Sequence, residues 1–131
     1  MDEIRVPISS DQDVVAARQK GRALAVKLEF SPGDSTLIAT AISELARNIV
    51  SYARQGEIRI LSQNSGRPGI VIVASDEGPG IQDIRQAMRD GFSTSGSLGL
   101  GLPGVRRLMD EFEIASVPGK GTTVIAKKWK P

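Results

Sequence analysis

The spacing of apolar residues switches between two periods along the chain, and this pattern constrains the fold more than any other feature. Residues 3–8 alternate apolar and polar side chains, as a half-buried strand does, and Pro7 favours a sheet edge because it lacks a ladder donor. Helical spacing follows twice, with Ser10 or Asp11 available to cap the first helix and Ser31 to cap the second. The chain therefore begins with one strand and two helices.

The second helix is predicted to start with Pro32 and to end at Gly56. The elements after it are strand-like runs at 57–63 and 69–75, short helical patterns at 81–88 and 103–109, and a hairpin of strands at 112–117 and 122–128. The order β-α-α-β-β-α-α-β-β predicts an α+β two-layer sandwich, in which helices cover one face of a mixed, largely antiparallel sheet. All 131 residues are predicted to form a single domain, 1–131.

Two residue types are missing altogether, because the chain has no histidine and no cysteine. Their absence excludes a Ser-His-Asp triad, a thiol nucleophile, a disulfide framework and a zinc site built from Cys and His ligands. Acid–base chemistry must therefore use carboxylates, lysine, arginine or tyrosine. A metal would need oxygen ligands, as Mg²⁺ does.

Charge and hydropathy point away from nucleic acids and membranes. The formal net charge is +2 and 4% of the residues are aromatic, so basic and aromatic residues are not interleaved as in a nucleic-acid platform. No apolar run approaches the ~18 residues of a membrane span, and the first residues are acidic where a signal peptide is basic. A cytoplasmic protein with neither nucleic-acid nor membrane partners is predicted.

Glycine is concentrated in one region, since seven of the 14 glycines lie between residues 76 and 104. GLGLPG at 99–104 matches the dinucleotide pattern G-x-G-x-x-G, but no strand precedes it and no carboxylate follows Glu113, so a dinucleotide site is rejected. The segment still suits a phosphate cradle, because Gly99 and Gly101 would let backbone N–H groups approach an anion ahead of a helix. A flexible surface loop before a capped helix is the alternative.

Three further segments carry polar groups at positions that suit ligand chemistry. Glu44 and Asn48 lie one helical turn apart, so a carboxylate able to take a proton and an amide oxygen suited to Mg²⁺ share one face. Asp76 follows an apolar strand and precedes two glycines, where it can accept a hydrogen bond from an exocyclic amine. GKGTT at 119–123 brings a hydroxyl into the last strand. Each segment has an ordinary alternative: a solvated helix face, a β-turn or a hairpin.

Taken in order, these segments resemble the ATP-binding boxes of the GHKL, or Bergerat-fold, superfamily of histidine kinases, DNA gyrase-type ATPases and MutL. ELARN (44–48) resembles the N box, DEGPG (76–80) the D-x-G-x-G box, GLGLPG (99–104) the second glycine box and GKGTT (119–123) the final one. The likeness covers residues 3–128. It is greatest to the small serine kinases of bacterial partner-switching systems, of the RsbT stressosome type, and more distant to anti-sigma kinases of the SpoIIAB type.

The resemblance implies that these boxes bind ATP and Mg²⁺. It implies that Glu44 is the general base toward a protein serine and that Asn48 holds Mg²⁺ with the nucleotide. It also implies that Asp76 binds the adenine amine, while Thr122, or else Thr123, reaches the adenine side. The residues implied to shape the base pocket and wrap the phosphates are Gly78, Gly80, Gly99, Leu100, Gly101, Leu102 and Gly104.

The same resemblance implies a protein serine kinase with several protein partners. The ATP γ-phosphate would go to a serine of a STAS-domain antagonist in a stressosome scaffold, and the released kinase would activate a PP2C-type phosphatase. Residues 90–98 would close on the nucleotide as a lid. Two other functions stay open: an ATP- or ADP-sensing module that transfers little phosphate, and a detached catalytic domain of a histidine kinase. Glu44 disfavours the first, and the missing histidine disfavours the second.

Overall fold

A computed structural model describes residues 3–64, 66–80, 88 and 101–131. The elements in chain order are β1 (Glu3–Ile8), α1 (Asp11–Lys27), α2 (Pro32–Asn48), a π-helical turn (Ile49–Ala53), β2 (Gly56–Gln63), β3 (Gly69–Asp76), α3 (Gly101–Leu108), β4 (Glu111–Val117) and β5 (Gly121–Trp129). The helix predicted at 81–88, apart from Met88, and the lid predicted at 90–98 lie outside the described residues.

The five strands form one sheet in the order β1-β2-β3-β5-β4. The prediction of an edge position for β1 is confirmed, since β1 pairs with β2 on one side only. The α+β class is also confirmed, but the sheet is antiparallel at every described pairing, where a mixed sheet was predicted. The reason is that β2–β3 and β4–β5 are both hairpins, and the second hairpin joins the first through an antiparallel β3–β5 pair.

The core lies between the inner face of the sheet and the helices. Strand alternation places isoleucines on this face, and four of them have no exposed surface: Ile58, Ile60, Ile70 and Ile72. Ile38, Ile42 and Leu45 of α2 join the same apolar cluster. Burial of each such side chain contributes about 1.5–3 kcal/mol to the free energy of unfolding. The packing holds α2 rigidly against the sheet.

Two helix boundaries differ from those predicted. α3 begins at Gly101 and not at Pro103, because a proline is tolerated in the first turn, where its missing N–H would have had no helical partner. α2 ends at Asn48, and a π-helical turn replaces the predicted continuation before the backbone reverses at Arg54, with φ +70°. Among the helices in the described part of the chain, none combines the length and apolar character needed to cross a bilayer.

The start of α1 is held by reciprocal side-chain caps. Ser10 is the N-cap, and its hydroxyl accepts a hydrogen bond from the Asp13 N–H at 3.4 Å. The Asp13 carboxylate in turn accepts from the Ser9 backbone N–H at 2.9 Å and from the Ser9 hydroxyl at 3.2 Å. The pairing satisfies donors that a helix start leaves unpaired.

Acid is expected to weaken this cap. The Ser9 backbone N–H beside Asp13 holds the pKa of that carboxyl below its ordinary value. Because the folded pKa is depressed, the contribution to stability is present at neutral pH and is lost as the pH falls below about 4, through the folded pKa. The gap in unfolding free energy between wild type and Asp13→Asn should therefore shrink from neutral to acid pH in denaturant titrations.

Asp11→Asn is the control, since it removes a neighbouring first-turn charge that interacts with the helix dipole. A stability gap for Asp13→Asn that is the same at neutral and acid pH would contradict the cap.

Candidate functional site

The C-terminal end of α2 carries the two residues predicted to handle phosphate chemistry. Its packing against the sheet and α3 buries Glu44, which is 7% exposed, whereas Asn48 is half-buried one turn later. Asn48 also marks the change from α-helical to π-helical winding, an irregularity that often accompanies functional sites. The predicted shared face of this pair therefore lies at an irregular helix end.

Both carboxylate oxygens of Glu44 have hydrogen-bond donors. Arg47 Nη1 donates to Oε1 at 2.7 Å, and the Gly101 backbone N–H donates to Oε2 at 3.4 Å. Gly101 is the first residue of α3, where N–H groups have no partner within the helix. These donors offset the cost of burying a charge. The structure thus brings the predicted base into contact with the predicted phosphate-binding segment, 57 residues further along the chain.

Arg47 is a residue of this site to which the sequence analysis gave no role. Its side chain is 45% exposed and that of Glu44 is 9% exposed, so the guanidinium lies on the solvent side of the carboxylate. A signal was present, because residues at (i,i+3) are neighbours on a helix surface and a Glu–Arg pair at that spacing is attractive.

Asp76 occupies the end of the central strand β3, as predicted. Its Oδ1 accepts a hydrogen bond from the Gly78 N–H at 2.9 Å, which turns the chain sharply away from the strand. A Cβ on Gly78 would lie 2.5 Å from the Ala53 Cβ, so the loop after β3 packs directly against the π-helical turn. This contact connects the aspartate segment to the end of α2.

Strand pairing distinguishes the two threonines of the last strand. Thr122 pairs with Asp76, and Thr123 pairs with Ser75. Because successive residues point to opposite sheet faces, Thr122 shares the helix-covered face with Asp76, and Thr123 lies on the other face. The Thr122 hydroxyl is within 2.8 Å of the Ser116 hydroxyl, a neighbour that the sequence did not single out.

Close backbone contacts require glycine at two positions beside Asp76. Gly80 has φ +75°, and a Cβ there would lie 2.5 Å from the Val117 carbonyl oxygen. Gly121, which the sequence analysis placed in the GKGTT box without a role of its own, has φ +128°, and a Cβ there would collide with the Asp76 carbonyl oxygen. Both values lie in the region that side chains with a Cβ rarely adopt. The glycines allow the loop after β3 to meet the β4–β5 turn.

The predicted phosphate-binding residues fall in two groups. Gly101, Leu102 and Gly104 lie in the first turn of α3, with Gly104 buried and Leu102 packed against the core. Gly99 and Leu100 lie outside the described residues. The Gly101 N–H is already paired with Glu44, but the N–H group of Leu102 has no partner within the helix, and with the positive dipole end of α3 it is suited to an anion.

The oxygen atoms that the site offers as metal ligands are compatible with Mg²⁺. The described residues contain no cluster of three or more carboxylates that would enclose a metal by themselves. Mg²⁺ in nucleotide sites is commonly held by one or two protein oxygens together with substrate phosphates and water. The amide oxygen of Asn48, which is half-buried one turn from Glu44, is a protein ligand of this kind.

Comparison with known proteins identifies the family. Residues 33–131 match the family model of the histidine kinase-, DNA gyrase B- and HSP90-like ATPases. The chain belongs to this ATPase family. ATP binding is the property that its members share by name, and it agrees with the boxes found in the sequence.

The likeness to one kinase extends over nearly the whole of both chains. The serine/threonine-protein kinase RsbT of Bacillus subtilis is 56% identical over 129 residues, which cover 98% of this chain and 97% of that protein. The anti-sigma F factor of Thermoanaerobacter sp. (strain X514) is 34% identical, with coverage of 93% and 89%. Within the ATPase family, the chain therefore belongs with the RsbT-type serine/threonine kinases.

Solved structures share the fold. The catalytic domain of the histidine kinase ThkA superposes with a TM-score of 0.58 at 16% identity, covering 99% of this chain and 97% of that one. The mycobacterial sensor histidine kinase MprB gives a TM-score of 0.59 at 17% identity, with coverage of 98% and 99%. At identities this low, the likeness shows that the fold is shared and nothing more.

Proposed function

We propose that this chain is the serine kinase of a bacterial partner-switching stress system. It transfers the γ-phosphate of ATP to a serine of a STAS-domain antagonist in a stressosome scaffold, and after release it activates a PP2C-type phosphatase. The observation that supports this proposal best is the buried Glu44 carboxylate, hydrogen-bonded to the first amide of α3. The carboxylate proposed as the proton acceptor thus contacts the segment proposed to bind the phosphates.

In this proposal the two ends of ATP have separate binding groups. Asp76 accepts a hydrogen bond from the adenine amine at the end of β3, with Thr122 beside it on the same face. Gly78 and Gly80 let the loop after β3 pack against the π-helical turn and the β4–β5 turn, which fixes the loop beside the proposed base site. The first turn of α3 beyond Gly101 binds the phosphates, because it carries an N–H group that has no partner within the helix and lies at its positive end.

The chemistry at the phosphate end needs one proton acceptor and neutralisation of charge. A serine hydroxyl is a weak nucleophile at neutral pH, so a positioned carboxylate is needed to take its proton. Glu44 has this role, held by Arg47 on one oxygen and Gly101 on the other. Mg²⁺ bound at Asn48 would neutralise phosphate charge.

A phosphotransfer assay tests the proposal. Purified protein, Mg²⁺ and ATP labelled in the γ-phosphate are mixed with a STAS-domain antagonist protein from the same organism. Label is expected on one serine of that protein, and a variant with alanine at that serine should remain unlabelled. Label recovered only as inorganic phosphate would contradict the kinase proposal.

The second candidate is a nucleotide-sensing module that transfers little phosphate. A sensor needs the Asp76 and α3 groups but has no use for a proton acceptor beside the phosphates. The kinase is therefore favoured by Glu44. A chain that binds ATP tightly and leaves its STAS partner unmodified would support the sensor.

A further inference from the structure

We infer that Arg47 is a catalytic residue that contacts the phosphoryl group during its transfer, an inference that rests on the proposed kinase reaction. Arg47 pairs with the buried carboxylate that is proposed as the base. Three further ion pairs lie on the outer face of the sheet and join Arg5 and Arg59 to Glu3 and Glu57. The ion pair at Glu44 is thus separate from the surface charge network.

Most of the donors of this guanidinium have no partner among the described residues. An arginine side chain carries five N–H donors in a planar fork. Arg47 donates from Nη1 to Glu44, and the residues described accept no other hydrogen bond from it. Because its side chain is 45% exposed, the remaining donors can reach a ligand without leaving the carboxylate.

The proposed reaction brings the transferred group to this side chain. The seryl oxygen forms a bond to the γ-phosphorus, the bond from that phosphorus to the β–γ bridging oxygen breaks, and its electron pair leaves with ADP. The seryl proton passes to Glu44, which places the seryl oxygen about 2.6–3.2 Å from the carboxylate. Arg47 Nη1 is 2.7 Å from the same carboxylate, so the γ-phosphoryl oxygens come within its reach.

A guanidinium at that position would stabilise the transition state selectively. Negative charge spreads over the three equatorial oxygens of the phosphoryl group as it moves, and an arginine there supplies charge-assisted hydrogen bonds. The planar fork lets one nitrogen stay on Glu44 while another contacts the phosphoryl group. A lysine ammonium keeps the charge, but its single nitrogen cannot replace two separate nitrogens that contact Glu44 and the phosphoryl group.

The test compares Arg47→Ala and Arg47→Lys with wild type in single-turnover phosphotransfer to the STAS-domain protein. Arg47→Ala is expected to lower the rate by about 10²- to 10³-fold, with Arg47→Lys between it and wild type. Affinity for ADP should be unchanged in both. A second readout is affinity for ADP with aluminium fluoride, a mimic of the planar phosphoryl group: wild type should gain affinity from the fluoride, and Arg47→Ala should lose that gain.

Arg59→Ala is the matched control, because it removes an arginine ion pair from the outer sheet face and should leave the rate unchanged. Arg47→Lys keeps a cation beside Glu44, so it serves as the test if Arg47→Ala does not fold.

Equal rates for wild type and both variants would overturn the inference, as would a loss of ADP affinity that matches the loss of rate. A raised KM for the STAS protein with unchanged kcat would also overturn it, by assigning Arg47 to docking. Wild-type protein that binds ATP but transfers nothing would overturn the proposed function itself.

Discussion

Replacing Glu44 with glutamine is expected to slow phosphotransfer by about 10²- to 10⁴-fold, the usual contribution of a general base. Glutamine has nearly the shape of glutamate, and its amide oxygen can still accept from Arg47 or Gly101. It has no useful affinity for a proton, so the seryl hydroxyl would lose its acceptor. ATP and ADP affinity should stay close to wild type, because Glu44 binds neither nucleotide in the proposed reaction.

Rapid-quench measurement of phosphoserine formation, with calorimetric titration of ADP, separates these two quantities. The control is Glu113→Gln, which makes the same chemical change at an exposed position on β4. A Glu44→Gln protein that phosphorylates its partner at the wild-type rate would remove Glu44 from the chemistry. In that case the proposed base would have to be another group.

Replacing Asp76 with asparagine is expected to weaken ATP and ADP binding by about 10- to 100-fold. This corresponds to loss of a hydrogen bond to a charged group, about 1.5–3 kcal/mol. Asparagine can retain the hydrogen bond from the Gly78 N–H, so the loop after β3 should keep its turn. The part that is lost is the negative charge facing the adenine amine.

Calorimetric titration with ADP measures the affinity directly. Glu77→Gln is the control, because it removes a carboxylate from the next residue, whose side chain is exposed, and should leave affinity unchanged. Comparison of ATP with GTP adds a second check, since GTP lacks the amine that Asp76 is proposed to recognise. Unchanged affinity in Asp76→Asn would assign adenine recognition to other residues.

Local structure was largely predictable from the sequence because its causes lie within a few residues. Ser10 and Ser31 cap the helices that follow them, as their side chains and positions predicted. The edge position of β1 followed from Pro7, and the class of fold from the change between the two apolar periods. Winding at the end of α2 was not predictable, because the π-helical turn depends on how the chain packs as it enters β2.

The candidate site was predictable as separate segments and not as an arrangement. Glu44, Asn48 and Asp76 stand out because their residue types suit ligand chemistry. The contact of Glu44 with Gly101 spans 57 residues and depends on the packing of α2 against α3. Gly121 was noted within the GKGTT segment but was given no role of its own, because the need for glycine arises from the approach of a different strand.

By itself, the sequence determined which chemistry was possible. Without histidine or cysteine, the chain has only carboxylates, amides, hydroxyls, lysine and arginine side chains and backbone N–H groups with which to handle a nucleotide. The tertiary structure decided which of these groups meet: it placed Thr122, and not Thr123, on the face of Asp76, and it set Arg47 and the first amide of α3 on the two oxygens of Glu44. The physical reason is that residue type is a local property, whereas strand register and helix packing depend on burial of apolar surface by the whole chain.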